Sequence, residues 1–147
     1  IDEEKLRLYS LLSEGSLGRA LESMNNEEFF NIRKEILNIV KELPGLTTVE
    51  IFEKSGNLIN YITDEFPFFN LISSWYRDIM LYMVENKDQI LNFDYIESIK
   101  MQSEEYNIQE IMSIVKLINQ YENYIERNVR KKLTIQVLLL KIRSKRV

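Results

Sequence analysis

The chain of 147 residues carries 19 Lys and Arg against 23 Asp and Glu, and it contains no His and no Cys. This length is enough for one domain with its own core, and the 45% hydrophobic content is ordinary for a globular protein. The two missing residue types exclude disulfides, thiolate or imidazole metal sites, and catalytic triads that need a histidine base.

Helical spacing of apolar residues predicts an all-α bundle of seven or eight helices and no sheet. Neither Gly nor Pro occurs after Pro67, and these are the residues that most often interrupt helices. The predicted helices cover about residues 3–13, 17–24, 27–43, 48–63, 67–87, 93–103, 108–125 and 129–143.

Side chains that favour helix starts support these boundaries. Each can accept hydrogen bonds from the unpaired backbone N–H groups of a first helical turn. Pro67 is expected at the first position of its helix, where a missing N–H costs nothing. The predicted N-caps are Asp2, Ser16, Asn25 or Asn26, Thr47 or Thr48, Asn92 and Asn107.

The last predicted helix has apolar residues on two opposite sides. At about 100° per residue, Leu133, Val137 and Leu140 cluster on one side. A helix that is apolar on two sides must be covered on two sides, by its own bundle and by another helix or a neighbouring subunit. Burial inside one bundle and contact with a neighbouring subunit suit this pattern equally well. In the second case, the interface is predicted to comprise Leu133, Ile135, Val137, Leu138, Leu139, Leu140 and Ile142. We expect Leu138→Asp to impair assembly more than folding.

Charge is unevenly distributed along the chain. Residues 1–125 hold 11 basic and 22 acidic residues, whereas residues 126–147 hold eight basic residues and one acidic residue. Such a basic end can contact nucleic acid or an acidic partner. It can equally be a solvated helix terminus whose cations complement the helix dipole.

Gly15, Ser16, Leu17, Gly18 and Arg19 are the first of several short motifs along the chain. They resemble the start of the sensor-2 helix of bacterial clamp-loader subunits of DNA polymerase III, and the later motifs follow in the order of that family. Downstream, the chain has counterparts of three further features of the family. They are a Trp-x-Arg-Asp string, an Asn-x-Asp string and a closing helix rich in Asn and Leu. The matching residues are Trp75, Arg77, Asp78, Asn92, Asp94 and Asn128.

The resemblance implies a fold and a role. Residues 1–24 would end the AAA+ lid domain, and residues 25–147 would form the helical collar domain that joins subunits in a ring. The fragment would be a non-catalytic cytoplasmic piece with no cofactor, no metal and no small-molecule substrate. Its partners would be gamma/tau and delta subunits in a hetero-pentamer, with DNA contacted by the parent complex rather than by this domain.

One departure from the family pattern favours the delta-prime branch. The gamma/tau ATPase subunits carry arginine at the sensor-2 position, which is Gly18 here, and Arg19 stands where they have aspartate. The collar of a gamma/tau subunit is the nearest alternative, and an intact phosphate-binding loop upstream of Ile1 would favour it. The chain, which lacks an initiator Met, is expected to be part of a longer protein.

A DNA-binding regulator is an alternative of another class. The segment from Thr48 to Asn57 superficially resembles the first helix and turn of a helix-turn-helix unit. The following residues, 57–66, contain no Lys or Arg and carry Asp64 and Glu65, so their charge opposes contact with phosphates. No residue set supports an enzyme.

Overall fold

The structure is a computed structural model that describes residues 15–127 and 130–145. These residues form seven α-helices and no strand, which confirms the predicted all-α class. The helices are α1 (Gly15–Ser23), α2 (Asn26–Glu42), α3 (Thr48–Leu58), α4 (Phe68–Met83), α5 (Ile96–Ser103), α6 (Ile108–Glu126) and α7 (Lys131–Ser144). Short 3₁₀ turns lie at Leu43–Gly45, Ile59–Tyr61, Lys87–Gln89 and Phe93–Tyr95. The first predicted helix lies outside the described residues.

Helix α4 forms the centre of the bundle. It packs against α1, α2, α5 and α6, and ten of its sixteen residues are buried. Trp75 is fully buried there, and its indole N–H donates to Gln102 Oε1 at 3.0 Å. The Gln102 amide in turn donates to the Lys41 carbonyl at 3.0 Å, so the bond satisfies a buried donor and links α4, α5 and α2.

Three of the predicted caps are present as expected. Asn25 accepts hydrogen bonds from the backbone of Glu27 and Glu28. Thr47 and Asn107 each form a reciprocal capping box with the glutamate three residues later, which satisfies two backbone donors at each helix start. These local interactions define the starts of α2, α3 and α6.

Other predicted boundaries are wrong for local reasons. Pro67 precedes α4 as its N-cap rather than occupying its first turn. Helix α4 ends at Met83 instead of about Lys87, and Glu85 follows with a positive φ of 59° that no continuing helix accommodates. Helix α3 ends at Leu58, where the chain tightens into a 3₁₀ turn.

Candidate subunit interface and buried polar network

Helix α7 lies antiparallel to α3 and also packs against α6. Near its start, the Lys131 ammonium donates to the carbonyl of Ile62 at 3.1 Å, just beyond the end of α3. Near its end, the Arg143 guanidinium donates to the Leu46 carbonyl at 2.9 Å and to Thr48 Oγ1 at 3.0 Å. These contacts at both ends of α7 fix which of its sides faces the bundle.

The inner side of α7 is part of the core of this chain. Four of the residues predicted to contact a neighbour have no exposed surface: Ile135, Leu138, Leu139 and Ile142. They are covered by the chain's own helices and offer no surface to a partner in this fold. These four residues are therefore core of this chain, and only Leu133, Val137 and Leu140 remain a predicted subunit interface. Leu138→Asp is accordingly expected to impair folding first.

The outer side of α7 retains an apolar strip, which we call the α7 face: Leu133, Val137 and Leu140. Leu133 is 56% exposed, while Val137 and Leu140 are half-buried. At about 100° per residue, basic residues flank this strip on both sides. Lys132 and Arg143 lie on one flank, and Arg130, Lys141 and Lys145 lie on the other.

Four motif residues predicted to be structural are distributed between a buried network and the surface. Asp78 and Asn92 are buried, whereas Asp94 and Arg77 are exposed residues, although only 28% of the Asp94 side chain is accessible. We define the buried polar network as Arg33, Ser74, Asp78, Asn92 and Asp94. Asn128 lies outside the described residues.

Arg33 of α2 joins this network through two partners. Its guanidinium donates two parallel hydrogen bonds to the carboxylate of Asp94, both 2.8 Å, and a third to Asn92 Oδ1 at 2.9 Å. The Arg33 side chain is almost fully buried, so the bidentate ion pair with Asp94 compensates for the free energy that is lost when the positive charge is removed from water. This ion pair connects helix α2 to the turn between α4 and α5, which contains Asp94.

Asp78 of α4 holds the same turn from the other side. Its carboxylate accepts from the backbone N–H groups of Leu91 and Asn92 at 3.0 and 2.8 Å, and from the Asn92 amide at 2.8 Å. The Asn92 amide also donates to Ser74 Oγ at 3.0 Å. Asn92 was predicted to be a helix cap; its side chain instead satisfies this network, and α5 begins only at Ile96.

Arg33 is not among the site residues predicted from the sequence, although its position in the sequence indicates that it is buried. It falls four residues after Phe29 and three before Ile36, which are both fully buried, so it sits within the apolar stripe of α2. A charged residue at such a position requires a buried partner. Asp94 is the partner, and sequence spacing alone could not identify it across 61 residues.

Residues 27–144 match the protein-family model described as DNA polymerase III, delta subunit, C terminal. The chain belongs to this clamp-loader family. Neither a curated protein nor a solved structure matches the chain.

The sensor-2-like residues of this clamp-loader domain lie within a continuous helix. Helix α1 begins at Gly15, and its residues Leu17 and Gly18 are buried while Arg19 is exposed. Leu17, Ala20 and Leu21 contribute to the hydrophobic core that α1 shares with α2 and α4. The only arginine of this segment is therefore exposed and lies about 100° around the helix from Gly18.

In residues 15–127 and 130–145, no three acidic side chains are grouped so that they could bind a metal ion. No helix in the same ranges is both long enough and apolar enough to cross a membrane.

Burial raises the pKa of Asp78 from 3.8 to about 6. The three hydrogen bonds that its carboxylate accepts and the positive charge of Arg33 lower the pKa, but burial has the larger effect. Between about pH 4 and pH 6, Asp78 therefore keeps its proton in the folded protein but loses it in the unfolded chain. The stability contributed by this proton is complete below about pH 4 and is lost as the pH rises through 6. We expect Asp78 to add about 1 kcal/mol to the free energy of unfolding between pH 7 and pH 5.

Urea unfolding at pH 5, 6 and 7 measures this effect, with Asp78→Asn as the variant that cannot titrate. The amide cannot reproduce all three accepted hydrogen bonds, so Asp78→Asn is also expected to be less stable at every pH. The informative quantity is the difference in pH dependence between the two proteins. Parallel stability curves would show that Asp78 does not titrate in this range.

Proposed function

We propose that this clamp-loader domain is the collar of a delta-prime subunit and that it binds neighbouring subunits through the α7 face. Membership of the delta C-terminal family supports the clamp-loader role in DNA replication. The observation that carries the proposed contact is the 56% exposure of Leu133 on a strip that also contains Val137 and Leu140. An apolar strip between basic flanks is typical of an interface with a less basic partner.

The delta-prime assignment rests on the sensor-2 segment. A residue at position 18 that could reach a γ-phosphate would need a long cationic side chain, and Gly18 has none. Arg19 is exposed on a different side of α1. This pattern suits a subunit that does not hydrolyse ATP, and it favours delta-prime over gamma/tau.

The proposed mechanism is assembly rather than chemistry. The buried polar network and the α4-centred core would hold the domain rigid, so that the α7 face meets its neighbour in one orientation. In the parent protein, residues 1–24 would continue the lid domain and residues 25–147 would form the collar. The complex would act in the cytoplasm with gamma/tau and delta subunits, and no cofactor is required of this domain.

The DNA-binding alternative gains no support from the fold. A helix-turn-helix unit would need a second helix directly after α3, but residues 59–61 form a 3₁₀ turn and the next helix is the buried α4. The intervening residues 57–66 carry no positive charge. Both findings oppose insertion of this segment into a DNA groove.

Binding to isolated clamp-loader subunits from the same organism tests the proposal. We expect the chain to form a complex with gamma/tau in size-exclusion chromatography coupled to light scattering. Leu133→Glu places a charge in the centre of the α7 face and is expected to weaken this complex at least about tenfold. Surface plasmon resonance gives the dissociation constants.

The matched control is Val49→Glu on α3. Val49 is 64% exposed and is not part of the α7 face, so this substitution introduces the same charge elsewhere. We expect the control to bind like the original chain. Equal binding by both variants would place the contact elsewhere, and the absence of any complex with gamma/tau or delta would refute the collar proposal.

A further inference from the structure

An open apolar depression lies where α4 and α5 end and α6 begins. It has a volume of about 530 Å³ and is lined by Met83, Ser103, Tyr106, Asn107, Ile108 and Gln109. Val84, which follows Met83, is 54% exposed. Ile108 and Met112, one turn apart on α6, are 42% and 58% exposed. We call the depression together with Val84 and Met112 the α4–α6 surface.

The α4–α6 surface is separate from the α7 face. Tyr121 marks the side of α6 that faces α7, because the Lys141 ammonium lies 5.3 Å from the centre of its ring. Met112 precedes Tyr121 by nine residues, which corresponds to about 180° around the helix. The α4–α6 surface therefore lies on the side of α6 away from α7, and a contact there leaves the α7 face accessible.

The rim of the α4–α6 surface is acidic. Glu104 and Glu105 form the short turn that joins α5 to α6, between two of the residues that line the depression. Glu85 directly follows Val84, and all three glutamates are exposed. No Lys or Arg lies within two residues of any lining residue. The apolar centre is therefore bordered by negative charge.

Glu85 occupies a position that is unfavourable for its own chain. Its backbone N–H donates to the carbonyl of Tyr82 at 3.2 Å, and the next N–H, that of Asn86, reaches back to α4 at 2.9 Å. These bonds form a Schellman motif, whose left-handed position is usually glycine but here is Glu85, with a φ of 59°. A carboxylate at the carbonyl end of a helix is also repelled by the helix dipole. A side chain that costs stability in two ways is typical of a contact with another molecule.

We infer that the α4–α6 surface binds a basic amphipathic segment of a partner protein. Apolar side chains of the segment cover Val84, Ile108 and Met112, which the folded chain leaves exposed, and its Lys or Arg side chains pair with the three glutamates of the rim. The same negative charge repels nucleic acid and anionic lipid, so a protein segment is the favoured occupant. The inference goes beyond the proposed function, because it assigns a partner site outside the α7 face.

A pair of synthetic peptides tests the charge requirement. The first is an amphipathic helix of Leu and Lys, about 18 residues or five turns long, and the second has Glu in place of every Lys. In about 0.1 M salt, calorimetry is expected to give a dissociation constant at least about tenfold lower for the Lys peptide. NMR spectra of the isotope-labelled chain should show the largest shifts in residues 83–85 and 103–112. Equal binding of the two peptides, or shifts concentrated elsewhere, would overturn the inference.

Two substitutions test the surface itself. Met112→Lys places a cation beside the apolar centre and is expected to raise the dissociation constant of the Lys peptide at least about tenfold. Glu85→Gly removes a rim charge and also the left-handed strain, so we expect binding to weaken about two- to fivefold while the urea midpoint rises. Weaker binding by a more stable variant cannot result from poor folding. Unchanged affinity in either variant would contradict the inference.

The matched control is Val49→Lys, which adds the same charge at a 64% exposed position on α3 and is expected to bind the Lys peptide like the original chain. Sedimentation velocity of the chain alone should give the same result with and without Met112→Lys. Self-association that Met112→Lys abolishes would identify a second copy as the occupant and overturn the inference. Binding to gamma/tau is measured separately, so failure here leaves the proposed function intact.

Discussion

Replacing Arg33 with alanine is expected to lower the free energy of unfolding by about 3–5 kcal/mol. The substitution removes three hydrogen bonds of a buried guanidinium, and with them the positive charge that pairs with Asp94 and acts on Asp78. It also removes the hydrogen bonds that join helix α2 to Asn92 and Asp94 in the turn after α4. Urea or guanidinium unfolding, monitored by circular dichroism, measures the change.

Arg77→Ala is the matched control for this prediction. Arg77 lies on the same central helix as Asp78, but its side chain is exposed. Its removal is expected to change stability by no more than about 0.5 kcal/mol. Similar effects of the two substitutions would show that the Arg33 ion pair adds nothing beyond an ordinary surface arginine.

The second large effect is expected at Leu138. Leu138→Ala deletes a side chain with no exposed surface and should cost about 2–5 kcal/mol, which includes the cavity left behind. Leu138→Asp buries an unpaired carboxylate at the same place and is expected to prevent stable folding. Denaturant melts and the dispersion of an NMR spectrum report these outcomes.

Leu133→Ala supplies the comparison, because it is the same substitution five residues earlier on the same helix. Leu133 is 56% exposed, and its truncation is expected to cost less than about 0.5 kcal/mol. We expect Leu133→Ala to weaken binding to a partner while leaving the stability of the chain nearly unchanged. If both truncations were equally mild, α7 would not pack on the bundle as described.

Local features of the sequence account for the helices and for the starts of α2, α3 and α6. Asn25, Thr47 and Asn107 each precede a run of apolar residues at helical spacing, and their side chains bond to backbone groups two or three residues away. Such interactions depend only on near neighbours in the chain. The end of α4 was misplaced because the residues after Met83 carry no Gly or Pro, while Glu85 nevertheless adopts a left-handed conformation.

The buried polar network shows where local reasoning fails. Asp78 and Asn92 are predicted as motif residues, but the hydrogen bonds that the Asn92 amide donates to Asp78 and to Ser74 span 14 and 18 residues. Arg33 was overlooked altogether, since its partner Asp94 is distant in sequence. A motif indicates that these residues matter, and only the packing of α2 against α4 reveals that they jointly fix one turn.

The sequence by itself determined the all-α class, the principal caps and the two apolar sides of the last helix, because these follow from periodicity and from contacts within a turn or two. Only the tertiary structure decided which side of α7 is core and which is surface. Both sides are apolar, so the choice depends on where α3 and α6 lie, and the contacts made by Lys131, Lys141 and Arg143 orient the helix between them.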